Sequence, residues 1–179
     1  VSDDVPPTGV DPERFRAGMA AKARGVANLD AATADDPPEL FVVFSSLASL
    51  QGDFGGAGYG TANRFADAYV LRRGAALSLA WPLWSIGGLD GRLGEDQWAA
   101  YRSLGLVPFD GATGWSALAQ ALVSGEPWLI PALGDQARIA RALGVAPAAG
   151  QRGLRGGALD VLRERLSAVL KVPAGRIGE

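Results

Sequence analysis

Cysteine and histidine are both missing from the 179 residues. Without cysteine there are no disulfides, thiolate zinc sites or cysteine nucleophiles. Without histidine, a Ser-His-Asp triad and a histidine metal cage are excluded as well, and no metal is expected. Any chemistry must run on Ser, Tyr, Lys, carboxylates or a borrowed cofactor. Lysine is scarce too: Lys22 and Lys171 are the only two in a chain that otherwise uses arginine, and such an isolated amine points to amine chemistry. A net charge of −2 offers no basic field to nucleic acid or to an anionic membrane. No apolar run approaches the roughly 20 residues that span a bilayer. Val1-Ser2-Asp3-Asp4 has neither the basic start nor the apolar core of a signal peptide. The expectation is a soluble cytoplasmic protein with no membrane or nucleic-acid partner. With 48% hydrophobic and 20% charged residues, it can bury one substantial core and a small appendage.

What is present alternates between two periodicities. Asp11-Pro12-Glu13 reads as a helix start, with an N-cap acid and proline at the first helical position. Phe15, Met19, Val26 and Leu29 continue its apolar stripe to about residue 33. Leu40 to Phe44 is a continuous apolar run, as in a strand buried on both faces of a parallel sheet. Ser45 to Gly58 reads as a loop. Tyr59 to Arg73 reads as a helix with Phe65, Ala66, Tyr69 and Val70 on its buried side. A second apolar strand runs from Ala76 to Trp81, then come helices at about 95–104 and 112–123 and a last strand at Trp128-Leu129-Ile130. Strands alternating with helices indicate a layered α/β sheet.

Three polar residues fall where such sheets bind ligands. Ser46 lies just past the carboxyl end of the first strand. Tyr59 and Asn63 are four apart and share a helix face. Gly55, Gly56, Gly58 and Gly60 crowd around Tyr59 and let backbone and substrate approach its phenol. A tyrosine beside a serine can protonate or polarise a carbonyl oxygen if a cation such as Lys22 depresses its pKa. The same residues also read as a capped turn and a half-buried aromatic, and spacing alone leaves both readings open.

The run FVVFSSLASLQGDFGGAGYGTANRFADAYVLRRG, with ALSLAWPLWSIGG after it, strongly resembles the catalytic core of polyketide synthase ketoreductases, members of the short-chain dehydrogenase/reductase superfamily. The resemblance extends from about Val1 to Leu133. Thirteen positions separate Ser46 from Tyr59 and twenty-four separate Lys22 from Ser46, as in that family. Ordinary short-chain dehydrogenases carry Tyr-x-x-x-Lys. The synthase ketoreductases exchange it for Tyr-x-x-x-Asn with the lysine on an earlier helix, matching Tyr59, Asn63 and Lys22.

The resemblance implies a Rossmann-like fold: a parallel sheet with helices on both faces, incomplete at its N-terminal side. It implies NADPH as cofactor and, as substrate, a β-ketoacyl chain tethered through phosphopantetheine to an acyl carrier protein. Tyr59 then donates the proton, Ser46 holds the ketone oxygen, Lys22 lowers the Tyr59 pKa and contacts the nicotinamide ribose, and Asn63 orients the pair and a water relay. Pro82 and Leu83 in Trp81-Pro82-Leu83-Trp84 match the segment beside the nicotinamide, with Trp84 on the substrate side. Ketoreductases giving the D-configured alcohol resemble one another in a Leu-Asp-Asp motif. Ser2-Asp3-Asp4 stands in its place, with Asp4 as the diagnostic acid and Ser2 departing from the pattern. The tryptophan of L-producing relatives would fall at Gln51, so a D-alcohol is expected; the alternative is that Asp3 and Asp4 are solvated turn acids. Gly88 to about Gly105 corresponds to a lid, although Trp98 and Leu104 equally fit ordinary helix packing.

Three parts follow: the catalytic portion at 1–143, a linker at 144–157, and at 158–179 a helix resembling the start of an acyl carrier protein, without its Asp-Ser-Leu attachment motif. The dinucleotide fingerprint Gly-x-Gly-x-x-Gly is not in the sequence. The expectation is an upstream cofactor-binding half that, with other synthase domains, is a partner this chain needs for activity. The alternative is an inactive, ketoreductase-like scaffold domain.

Overall fold

A computed structural model describes residues 11–52, 57–86 and 94–144. Asp4, Gly55, Gly56, residues 88–93 of the expected lid, the linker beyond Gly144 and the carrier-like helix lie outside these residues. The chain divides into two compact units. One is drawn from Val1–Pro82 and Glu126–Ile130, the other from Leu83–Gly125 and Pro131–Glu179.

In the first unit, helix α1 (Pro12–Ala32) starts as its sequence dictates, with the Asp11 carboxylate accepting from Glu13 N at 3.0 Å. Strand β1 (Val42–Ser46), helix α2 (Ala48–Gln51), helix α3 (Ala57–Arg73), strand β2 (Leu77–Trp81) and strand β3 (Trp128–Leu129) complete it. The sheet is parallel throughout, in the order β1-β2-β3. Central β2 is buried at every position, and α3 packs against all three strands. Ala66, Val70 and Leu79 are fully enclosed between them. Burying a side chain the size of Val70 or Leu79 stabilises by roughly 1.5–3 kcal/mol.

Helix α1 packs on α3, where Gly18 faces Gly58. Arg73 fastens the same pair of helices from the other end. Its Nε donates to Asp30 at 2.5 Å, Tyr69 donates to the other Asp30 oxygen at 2.8 Å, and the guanidinium lies 4.3 Å from the Phe41 ring centroid. Arg73 also donates to the carbonyls of Gly74 and Ala75. Both residues have positive φ, and for Ala75 (φ 43°) that conformation is strained.

Several expectations change here. The first strand lies two residues later than read, so Ser45 and Ser46 belong to it. It is not buried on both faces, since Phe44 is 50% exposed, and among the described residues β1 pairs with a strand along one edge only. The stretch read as a loop contains the one-turn helix α2. Phe65 is not on the buried side of α3 but 42% exposed, stacked at 6.1 Å on Tyr69. The buried face holds Gly60, Ala62, Asn63, Ala66, Asp67 and Val70 instead, because close packing on the sheet and on α2 favours small residues.

The second unit holds α4 (Glu95–Ser103), α5 (Gly111–Ser124) and α6 (Gln136–Leu143). The last of these was not foreseen, although Asp135 caps it through Arg138 N and Gly144 ends it in the left-handed region. Trp84 bridges to Phe109 and packs on α5 at Gly114, where an added Cβ would come within 2.1 Å of its ring. Among the described residues no helix is long and apolar enough to cross a membrane.

Candidate active site

Parallel strands end on the same side of a sheet, so the chain segments leaving β1 and β2 emerge together. Ser46, paired with Trp81 in register, is the last residue of β1. It is half-buried, and its Oγ accepts from Ala48 N at 3.3 Å, which turns the chain into α2. Gln51 ends that helix and is exposed. Helix α3 comes close to α2 because Gly60 has no side chain: a Cβ there would meet Ala48 O at 3.0 Å. Tyr59, half-buried, precedes Gly60 on the first turns of α3, the part of that helix that approaches α2.

Asn63 lies one turn further on and is fully buried. Its amide donates to Tyr59 O at 2.8 Å, taking the backbone carbonyl of the residue it was expected to orient. Ser45 Oγ donates to Asn63 O at 3.5 Å and so ties β1 to α3.

Lys22 approaches from α1, and its Nζ donates to Phe44 O. Phe41 O and Leu47 N bond to β2, so the alternation of the strand turns the Phe44 carbonyl toward the opposite, unpaired edge. A cleft of about 420 Å³ runs along that edge between Lys22, Val26 and Leu29 of α1 and Val42 to Phe44 of β1. Burial pulls the Lys22 ammonium below the usual lysine value, and the Asp67 carboxylate works against that pull. A protonated lysine has three N–H donors, so the bond to Phe44 leaves two for other partners.

Pro82 is buried directly after β2, and Leu83 is half-buried. Trp84 is half-buried within the second unit, its ring 6.1 Å from that of Phe109. Trp98 packs edge-on against Tyr101 at 6.0 Å, the ordinary packing considered for it, and Leu104 is half-buried. The structure thus ties Lys22 to β1 through Phe44 O and Asn63 to β1 through Ser45, with Ser46 at the end of that strand and Tyr59 one turn before Asn63 on α3. Sequence reasoning missed Asp67, although it lies four residues beyond Asn63 on the same face of α3.

The hydroxyls of Ser46 and Tyr59 and the spare donors of Lys22 suit a carbonyl and the hydroxyls of a ribose. A nicotinamide cofactor therefore fits these residues at its reactive end. Among the described residues no cluster of acids suits a metal ion.

Residues 1–86 match the family model described as "KR domain". Polyketide synthase ThaG of Burkholderia thailandensis is 34% identical over 188 residues, covering 99% of this chain and 3% of that protein. A crystal structure of a ketoreductase domain from the bacillaene assembly line superposes with a TM-score of 0.72 at 29% identity, covering 79% of this chain and 36% of that one. The first ketoreductase of the tylosin PKS gives 0.67 at 30% identity, over 80% of this chain and 32% of that one. The chain thus spans about a third of each of those ketoreductase structures and a small part of the synthase.

Proposed function

Residues 1–86 belong to the KR domain family of modular polyketide synthases, and from that membership we propose that this chain supplies the proton-delivering side of an NADPH-dependent reduction of a carrier-bound β-ketoacyl thioester to its β-hydroxy product. What supports this reading is the placement of Ser46 at the end of β1, the bond of Lys22 to the Phe44 carbonyl of the same strand, and the buried Asn63 bonded to Tyr59 O and tied to β1 through Ser45.

The hydride that forms the new C–H bond comes from the cofactor. Ser46 holds the ketone oxygen by a hydrogen bond. Tyr59 donates the proton that makes it a hydroxyl and is left as a phenolate to be reprotonated from solvent. Lys22, a cation on a half-buried side chain, stabilises that phenolate and offers its remaining N–H groups to the nicotinamide ribose. Asn63 fixes the first turns of α3 through its bond to Tyr59 O and so sets where the phenol points. Pro82 and Leu83 border the nicotinamide. Asp4, together with Gln51 in place of tryptophan, favours the D-configured alcohol, with Trp84 toward the acyl chain. The pyrophosphate end of the cofactor falls to an upstream half carrying the glycine fingerprint.

The test is NADPH consumption with a β-ketoacyl thioester surrogate, comparing this chain alone, the chain with an upstream half, and the same mixture carrying Tyr59→Phe. Turnover is expected in the wild-type mixture alone, with a loss of at least 100-fold on Tyr59→Phe, in line with general-acid catalysis worth about 10²–10⁴-fold. A well-folded but inactive mixture would favour the scaffold reading.

A further inference from the structure

Helix α5 has a glycine at a position where a helix gains nothing from one. Gly114 is buried in the helix interior, its N–H bonded to Asp110 O at 2.9 Å. Only proline is less favourable there. Its backbone does not take the left-handed conformation found at Gly105, Gly125 and Gly134, so conformational freedom does not explain the residue. The missing side chain does. A Cβ on Gly114 would lie 2.1, 2.3 and 2.8 Å from Cη2, Cζ3 and Cζ2 of Trp84, far inside the roughly 3.5–4.0 Å at which two carbons rest in contact.

Trp84 is held to this seat on both sides. Leu83 O accepts from Phe109 N at 2.9 Å, and Ser85 donates to Phe109 O through its N–H at 2.8 Å and its hydroxyl at 3.1 Å. The Phe109 ring lies 6.1 Å from that of Trp84. Ile86, two residues on, reaches the same helix one turn earlier, its Cδ1 3.6 Å from where a Cβ on Gly111 would stand. With the backbone tied at Leu83 and Ser85, a methyl group at position 114 shifts the indole and not the chain. The indole belongs to a half-buried residue, so the direction open to it is away from α5 and toward solvent.

We propose that Gly114 is a specificity-determining position: by keeping the Trp84 indole down on α5, it sets the room left for the acyl chain on the outer side of the ring. The acyl contact rests on the reductase reading, in which Trp84 faces the substrate, whereas the seating of the ring does not. Gly114 touches no substrate and acts through Trp84, as a positioning residue. A raised indole takes space from a long acyl chain and little from a short one, so the consequence is a change of preference and not a loss of chemistry.

The chain has five tryptophans, so 5-fluorotryptophan labelling gives five 19F resonances, and Trp84→Phe assigns one by its loss. In Gly114→Ala that resonance is expected to move and to gain a solvent isotope shift. In the reconstituted reductase, kcat/KM for a long β-ketoacyl thioester surrogate should fall about 10-fold relative to that for a short one, the order of effect a hydrophobic pocket gives for one carbon. In the Trp84→Phe background, whose shorter ring lacks the atoms that meet the methyl, Gly114→Ala should leave that ratio unchanged. A resonance that stays in place in folded Gly114→Ala overturns the proposal. So does a ratio that does not fall, or that falls equally in the Trp84→Phe background. A wild-type mixture that reduces neither surrogate overturns the reductase reading and the acyl role with it, and the resonance still decides the seat. If Gly114→Ala does not fold, Gly114→Ala/Trp84→Phe carries the test. Recovery of the fold in the double variant supports the seat, and a double variant as unfolded as the single one overturns it.

Discussion

A phenol enclosed by apolar neighbours holds its proton hard, and Tyr101 shows the effect. Burial pushes its hydroxyl up to about 12, with the Leu83 backbone opposing. Because the folded value lies above the unfolded one of 10.0, the protonated form stabilises the fold fully below pH 10. That contribution is lost as pH rises through about 12. Tyr101→Phe removes the titration and keeps the edge-on contact with Trp98, so its unfolding free energy should stay within about 1 kcal/mol of wild type at pH 7. Urea midpoints measured from pH 8 to 11.5 should fall less steeply for the variant, and parallel curves would refute the assignment. At this same scale Lys22, Ser46, Tyr59 and Asn63 stood out in the sequence as candidates because their intervals match those of the resembled ketoreductases. It did not yield Asp67 or the exposure of Phe65. Polarity on a helix face says nothing about which side meets the sheet until the packing partner is known, and here the side with the acid and the small residues was chosen over the aromatic one.

Between elements, the proposed site depends on α1 keeping its register on α3, since the two helices carry Lys22 on one and Tyr59 and Asn63 on the other. Gly18 against Gly58 sets how near they come, and Arg73 locks the far end through Asp30, Phe41 and the Gly74-Ala75 turn. A planar guanidinium serving three partners is not replaced by lysine, so Arg73→Lys should behave much like Arg73→Ala. Each should cost about 2 kcal/mol, read from urea denaturation, well above the median of an isolated surface pair. The Asp30 carboxyl is held below its ordinary 3.8, first by the Arg73 bond and then by Tyr69. A depressed carboxylate stabilises above its unfolded pKa and loses that contribution as pH falls through the folded one, so the acid limb below pH 4 should flatten in Arg73→Ala. Equal acid limbs would refute the lock. Elements with strong end signals were legible, as α1 was from Asp11-Pro12. Helix α6 carried comparable signals in Asp135 and Gly144, but its eight residues offered too little periodicity to stand out. Strand β1 was displaced by two residues because its carboxyl end, Ser45-Ser46, is polar.

On the scale of the whole molecule, the sheet leaves one feature that neither residue nor element explains: β1, which carries Ser46 of the proposed site, has an edge lined by apolar side chains. Leu29 is 57%, Leu40 40% and Phe44 50% exposed along it, and Lys22 occupies the Phe44 carbonyl that a neighbouring strand would take. An open edge of this kind is a liability unless it is covered. The apolar run at Leu40–Phe44 was read as doubly buried because hydrophobicity reports the environment a strand is selected for, including surfaces contributed from elsewhere. If the proposed upstream half adds a parallel strand here, Phe44 O exchanges the lysine for a backbone amide, and Lys22 is released toward Tyr59 and the ribose. Hydrogen exchange tests this directly. The amides of Val42, Phe44 and Ser46, turned away from β2 by the same alternation, should exchange readily in the chain alone and become protected in the mixture, while those of β2 change little. With 13C-labelled lysine, the Lys22 side-chain resonance should move at the same titration point of the added half. Protection without movement of Lys22 would separate sheet completion from the arming of the site, and exchange unchanged on β1 would place the contact on another face of the molecule.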